Sequence, residues 1–501
     1  MTRLRPLIFA ILLLLTALTA ISAPKREMRG LWVATVWGID WPSVQGTDSK
    51  TIERQKQELV KIIDLASSLN MTTVCLQVRS MGDAMYESSL EPWSRFLTGE
   101  RGRDAGWDPL EFAVDECHAR GLECYAWVNP FRWSTGTANY TTKPDKKARR
   151  EGWLMKWDKY TVFNPGLEAV RQHLVAVCHE IVDGYDVDGL IFDDYFYPNR
   201  IPETKDAPDY GLYINESPWM SFGDWRRANV HKAIADVQAM IRDTRPGCRF
   251  GISPAGVAGK HDTSALKWGL DPCHVKAADW QWGEIYSDPL GLLYQGTIDF
   301  ISPQIYWASD HPTAPFNDLS EWWSRVSNMM GTHCYTSLTL ERLDQGSRSK
   351  NIEEMARQIA TNRSVTIDGN TGTMIYSAKY LPKVARRLQN LFDTPSLTPR
   401  LDWGGQCNLP APKKLKLKNG TLSWEATNFT PGEIERYTVY AIPKNMKPEE
   451  ALDPSGDGIA GDWLIGVTYD TKICVDHLDD GWRFAVCTYT PYSAESAPTW
   501  L

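Results

Sequence analysis

Two adjacent carboxylates, Asp193 and Asp194, end the run Asp188-Gly-Leu-Ile-Phe-Asp193-Asp194-Tyr-Phe-Tyr-Pro198. Mostly apolar strand passes into acids, then aromatics, then a proline. Burying such a pair at a strand end is costly in desolvation. The C-terminal ends of parallel barrel strands are where barrel enzymes keep their chemistry. Acids with aromatic walls are the usual means of cleaving glycosidic bonds. The alternative is that both acids only cap a turn. Strand alternation places Gly189, Ile191, Asp193 and Tyr195 on one face and Asp188, Leu190, Phe192 and Asp194 on the other. Asp193 is therefore the expected inward acid, with Tyr195 above it. Asp194 either raises the pKa of its neighbour by like-charge repulsion or caps the turn.

Other polar and aromatic groups follow predicted strand ends in the same way. One segment holds Gln77 and Arg79 in phase, then Asp83, then Glu91 and Trp93. A second ends on Trp127, Asn129 and Arg132, and a third carries Ser302, Gln304 and Tyr306 on one face before Trp307. Together these amide, guanidinium, phenol and indole groups form a polyol-binding set around two acids. An internal ion pair between Arg79 and Asp83, or hydrogen bonding of Gln304 and Tyr306 inside a barrel, is the structural alternative. Trp37, Trp41, Trp127, Trp133 and Trp307 are candidate sugar platforms among 22 tryptophans.

The elements that must position these groups are eight apolar, β-branched runs: Gly30–Val36, Thr72–Val78, Leu122–Val128, Val187–Asp193, Arg249–Pro254, Ile298–Tyr306, His333–Leu340 and Gly372–Ser377. Helical patterns separate them. Near-continuous apolar strands alternating with helices indicate a parallel sheet covered on both faces. Asp108-Pro109 supplies a cap and a first-turn proline, and Asn164-Pro165 is read in the same way. Longer helices are expected from Ser49 to Asn70 and from Ser221 to Thr244. Eight strand–helix units predict an α/β (β/α)8 TIM barrel. A doubly wound sheet is disfavoured, because no glycine-rich nucleotide loop follows the first strand.

The rest of the chain bounds the reading. With 501 residues, 43% hydrophobic and 23% charged, the protein is globular and expected to hold more than one domain. The net charge of −8, without a basic patch, argues against nucleic acid as a partner. Residues 1–23, with Arg3 and Arg5 before the apolar stretch Leu7 to Leu15, read as a signal peptide. The protein is thus expected to be exported to the periplasm or cell exterior, with no integral membrane segment after signal removal. Of ten cysteines, Cys75, Cys178, Cys334 and Cys487 sit in apolar patterns as small buried hydrophobes. Cys117-His118 with Cys124 lacks a second ligand pair at zinc spacing, so neither metal nor cofactor is expected. The barrel is assigned to 24–393 and a linker to 394–409. Residues 410–501, with short alternating runs, are assigned to an all-β immunoglobulin-like sandwich.

Several segments in one order carry a family resemblance: Arg29-Gly-Leu-Trp-Val, Gln77-Val-Arg-Ser-Met-Gly-Asp-Ala-Met-Tyr86, Glu91-Pro-Trp-Ser, Ala126-Trp-Val-Asn-Pro-Phe-Arg132, the Asp188–Pro198 run and Ser302-Pro-Gln-Ile-Tyr-Trp307. They resemble the glycosyl hydrolase-like family ten, exported bacterial barrel proteins. The C-terminal segment resembles a fibronectin type III module. The family resemblance implies a glycosidase acting on peptidoglycan or another complex glycan, and a monomer is expected. A non-catalytic glycan-binding barrel is the alternative, and a metal-dependent deacetylase is disfavoured by the lack of an in-phase His/Asp cluster. Asp188-Gly-x-x-x-Asp193 is also similar to the fourth-strand signature of chitinase-like family eighteen hydrolases. Tyr195 stands where that family has its glutamate acid. The proton donor is then Asp194, with Asp83, Glu91, Glu284 and Glu341 as further candidates in falling order. The expected catalytic pair is Asp193 and Asp194. Arg79, Asp83, Glu91, Asn129, Arg132, Tyr195, Gln304, Tyr306 and Trp307 are expected to bind substrate.

Overall fold

The computed structural model describes residues 24–258, 263–278, 280–365, 371–404, 409–427 and 435–501. Residues 1–23, read as a signal peptide, lie outside them, as does Cys407.

Eight parallel strands close on themselves: β1 (Met28–Val33), β2 (Thr73–Arg79), β3 (Glu123–Val128), β4 (Gly189–Asp193), β5 (Arg249–Ser253), β6 (Phe300–Ile301), β7 (His333–Thr339) and β8 (Thr371–Tyr376). Each pairs with its neighbour in sequence, and β8 returns to β1 with Met28 opposite Gly372 and Leu31 opposite Ile375. The (β/α)8 barrel read from the strand pattern is the observed fold. Helices start where their caps stand: the Asp48, Asp108 and Ser221 side chains accept from backbone N–H groups of the first turns of Ser49–Ser68, Pro109–His118 and Phe222–Thr244.

Two elements differ from expectation. The predicted Ile298–Tyr306 strand forms a ladder only at Phe300–Ile301. Pro303 has no N–H to donate, and pairing resumes beyond it as single bridges from Gln304 to Ala255 and Ser337. The helix expected from Asn164 begins later, at Glu168, because the Asn164 carboxamide accepts from Gly166 N and spends that turn as a loop.

Strand alternation sorts the core into two layers. Val, Leu and Ile at one parity face the helices. At the other parity, Met28, Trp32, Cys75, Tyr125, Trp127, Ile191, Phe300, Tyr335 and Met374 fill the barrel interior. So many large rings fit only because glycines share the inward parity. A Cβ on Gly189 would lie 2.8 Å from the Tyr125 ring, and one on Gly251 would lie 2.4 Å from that of Phe300. Gly251→Ala is therefore expected to destabilise the barrel by about 1–3 kcal/mol, the usual cost of overpacking. A thermal melt unchanged from wild type would show that the Phe300 ring has room to move.

The C-terminal residues form two antiparallel sheets. One joins Lys413–Lys418, Thr421–Glu425 and Lys472–Cys474; the other orders Leu464–Thr468, Arg436–Pro443, Trp482–Tyr489 and Thr499–Trp500. Leu422, Trp424, Val439 and Phe484 pack between them. This unit seals the N-terminal end of the barrel. Arg436 pairs with Glu123, the first residue of β3, at 2.6 Å. Tyr469 donates to Asp188, just before β4, at 3.0 Å and stacks on His118 at 3.8 Å. Arg249, at the start of β5, donates to Ser493 at 2.6 Å.

Candidate functional site

A cleft of about 400 Å³ opens at the other end, among the C-terminal ends of the strands. Asp193, the last residue of β4, continues the inward parity of Gly189 and Ile191 and lies in its wall. Gln304 Nε2 donates to Asp193 Oδ1 at 3.2 Å and to the Ser253 carbonyl at 2.9 Å, tying the ends of β4, β5 and β6 together. Trp127 and Asn129 follow from β3, and Trp127 Nε1 donates to Asn129 Oδ1 at 3.0 Å. Arg132 lies with its guanidinium 3.7 Å from the centre of the Tyr195 ring. Tyr306 and Tyr376 stack with centroids 5.8 Å apart. Trp37, 57% exposed, stands at the mouth.

The two aspartates form one titrating unit. Their carboxyl groups are hydrogen-bonded to each other, and Asp194 N donates to Asp193 Oδ1 at 2.9 Å. Burial raises both pKa values above the ordinary carboxylate range. For Asp194 the negative charge of Asp193 adds to burial and carries it well above that range. For Asp193 the Asp194 donors, Arg132 and Gln304 oppose burial. Of the two, Asp194 is therefore the harder to ionise, because burial and the neighbouring Asp193 charge act on it in the same direction. Asp194 itself is buried and does not reach the cleft wall.

Not every expected group arrives. Arg79 is absent from the cleft. The β2–β3 register shifts between Gln77 and Arg79, so the two lose their common phase. Gln77 reaches the cleft, where its side-chain carbonyl accepts from Thr35 N and Val36 N. Arg79 turns away into a buried pair with Glu91 at 2.5 Å, rather than with Asp83. Burial alone would raise the Glu91 carboxyl, but Arg79 and a hydrogen bond from His173 hold it down to about 2. Asp83 is consumed by its own turn, accepting from Ser80, Met81 and Ser94. Trp307 follows Tyr306 by one residue and so points the other way, into a separate cavity beside Arg342 and Gln358. Trp41 and Trp133 are core residues, their indole N–H groups donating to the Gln55 carbonyl and the Asp145 carboxylate. Asp188 sits at the closed end of the barrel, so the second acid of the family-eighteen likeness is remote from the cleft.

Trp32, Tyr376 and Glu341 are among the cleft groups not expected as binding residues. Trp32 and Tyr376 were legible in principle, since Tyr376 shares the inward parity of Gly372 and Met374. Glu341 begins the short helix Glu341–Asp344 after β7. It stood last among the donor candidates, because nothing local says which way that loop turns. Its strand lies three places round the barrel from β4, so this exposed residue borders the cleft on another side than Asp193. Glu284 instead lies near Arg200 at 3.4 Å, away from the cleft.

A family profile described as Glycosyl hydrolase-like 10 matches residues 27–353. The chain belongs to the glycosyl hydrolase-like 10 family. This family member is 33% identical over 420 residues to "Glycosyl hydrolase YngK" of Bacillus subtilis (strain 168), covering 79% of this chain and 78% of the relative. It is 32% identical over 384 residues to "Glycosyl hydrolase DigH" of Escherichia coli (strain K12), covering 72% and 84%. Among solved structures, the glycoside hydrolase domain of PgaB (BpsB) from Bordetella bronchiseptica aligns over 75% of this chain and 100% of that chain, at 12% identity and TM-score 0.47. The matched span of this glycosyl hydrolase-like 10 protein contains Asp193, Gln304 and Glu341, whereas Tyr376 lies beyond it.

Proposed function

We propose that the protein is a glycoside hydrolase that cleaves O-glycosidic bonds in a bacterial cell-wall glycan, with peptidoglycan strands as the first substrate to test. The observation that carries this reading is a buried carboxyl group, Asp193, in the wall of an aromatic-lined cleft that a second acidic residue, Glu341, borders on another side. Glycosidases need two carboxyl groups flanking the scissile bond. Asp193 stabilises positive charge at the anomeric carbon, either as nucleophile or by orienting a substrate acetamido group. Glu341 donates the proton to the departing oxygen. Asp194 is a positioning residue: its hydrogen bonds hold Asp193 in place and favour the ionised form of that carboxyl. Trp37, Trp127, Tyr195, Tyr306 and Tyr376 offer ring faces, and Asn129, Arg132 and Gln304 offer hydrogen bonds to sugar hydroxyls. Residues 1–23 support export to the periplasm or cell exterior, where such a glycan is met. The fibronectin-like C-terminal unit then serves as a spacer on a monomer.

The full-length protein incubated with purified peptidoglycan glycan strands is expected to release new reducing ends, read by mass spectrometry of the products. Binding of those strands without any cleavage would favour the glycan-binding alternative.

The role of Asp194 predicts a particular pH behaviour. The acid limb of kcat/KM reports ionisation of Asp193 in the free enzyme. Asp194→Ala removes a donor that lowers the Asp193 pKa, so the limb should move to higher pH. Asp194→Asn keeps an N–H donor and should leave the limb near its wild-type place. A limb that is the same in both variants would remove Asp194 from the mechanism.

A further inference from the structure

A second cleft, about 600 Å³ and so larger than that of Asp193, lies on the same rim but behind the strand Arg132–Thr135. Arg132 lines the Asp193 cleft and the next residue, Trp133, lines this one. The strand is thus a partition between two neighbouring depressions. The second is walled by the Ser88–Trp93 loop on one side and by the helix Lys143–Arg150 on the other.

Its chemistry is not that of a packing defect. Lys143, Lys147 and Arg150, spaced four and three apart, fall on one helix face and border the cavity with exposed side chains. Two indoles, Trp93 and Trp153, line it half-buried, and Lys147 Nζ lies 5.0 Å from the centre of the Trp153 ring. The two carboxylates that border the cavity are already neutralised. Glu91 is held by Arg79 and His173. Asp145 is held by Arg101 at 2.9 Å and by Trp133 and Thr142. Arg150 pairs with Glu151 at 2.9 Å, so Lys143 and Lys147 carry the positive balance of the cavity, in a chain whose net charge is −8. Indole faces suit a sugar ring, and ammonium groups beside them suit an acidic substituent.

We infer that this cleft is a second glycan-binding site, selective for a sugar residue that carries a negative charge. A polymer lying along the rim can place one residue beside Asp193 and an acidic residue beyond the partition. The inference does not depend on catalysis at Asp193, since binding is measured directly.

The probes are an oligogalacturonic acid trisaccharide and its methyl ester, which keeps the rings and removes the charge, titrated calorimetrically into the full-length protein. The acid is expected to bind about tenfold tighter than the ester at low salt, the effect of one charge-assisted contact. That advantage should shrink at about 0.5 M salt, where the exposed ammonium groups are screened. The double variant Lys143→Ala/Lys147→Ala should lose the preference for the acid while binding the ester as before. Its turnover of a small neutral aryl glycoside should match wild type. Tyr376→Ala, in the other cleft, should leave the acid preference intact. Equal affinity for acid and ester, or indifference to the lysine substitutions, would overturn the site. Equally tight binding of an oligothymidylate would overturn its selectivity for sugars. The aryl glycoside turnover reports the Asp193 cleft separately, so failure of either reading is visible on its own.

Discussion

Asp193→Asn is expected to lower kcat by about 10³-fold or more, equal to about 4 kcal/mol of lost transition-state stabilisation. Asparagine fills the same volume and can still accept from Gln304 Nε2 and Asp194 N, so the cleft keeps its shape. What disappears is the negative charge next to the anomeric centre. That charge acts on a positive centre that develops only in the transition state, so ligand affinity should change little while turnover collapses. The substitution also spares the fold. Asp193 is buried at a cost, and its pKa is raised by that burial, so a neutral amide there should leave the thermal midpoint equal to wild type or higher. Turnover near wild type in a folded Asp193→Asn protein would falsify the catalytic assignment. Loss of ligand affinity in parallel with turnover would instead recast Asp193 as a binding group.

Glu341→Gln should show a different signature. General acid assistance is worth about 10²–10⁴-fold when the leaving group needs a proton. Cleavage of natural glycan strands, whose leaving group is a sugar hydroxyl, should fall by that amount. An aryl glycoside with a strongly acidic phenol departs without help, and its bond cleavage should be nearly unaffected. The ratio of the two rates therefore separates a proton donor from a residue that merely holds substrate, which would slow both alike. If both substrates slow equally, Glu341 only binds, and the donor must be sought elsewhere around the cleft. Asp194 is poorly suited to that task, since it is buried behind Asp193 and does not line the cleft.

The C-terminal unit is expected to affect stability rather than chemistry. Its contacts fall on Glu123, Asp188 and Arg249, at the barrel end opposite the cleft. Cutting it away would strip partners from charges that are now buried, so a shortened barrel should be markedly less stable even though no cleft residue is lost.

What the sequence determined by itself is what depends on neighbours along the chain. Apolar strand runs of the right length, helix caps at Asp48, Asp108 and Ser221, and the break in character beyond residue 394 are local signals, and they yield the eight-stranded barrel. The same holds for Asp193: two-residue periodicity carried from Gly189 and Ile191 sets its direction without any knowledge of the partner strands. Asn129 and Gln304 follow for the same reason. Tertiary structure decided whatever turns on a partner far away in sequence or on a break in regularity. A single register shift between Gln77 and Arg79 sent Arg79 to Glu91, whose carboxylate also meets His173, 82 residues beyond it. Pro303 shortened β6, and Trp307 left the cleft for a separate cavity. Glu341 and Tyr376 join a carboxylate more than a hundred residues before them only because β8 closes onto β1. Periodicity fixes the face on which a side chain leaves its strand, but the closure of the barrel and the path of each loop fix what that side chain meets.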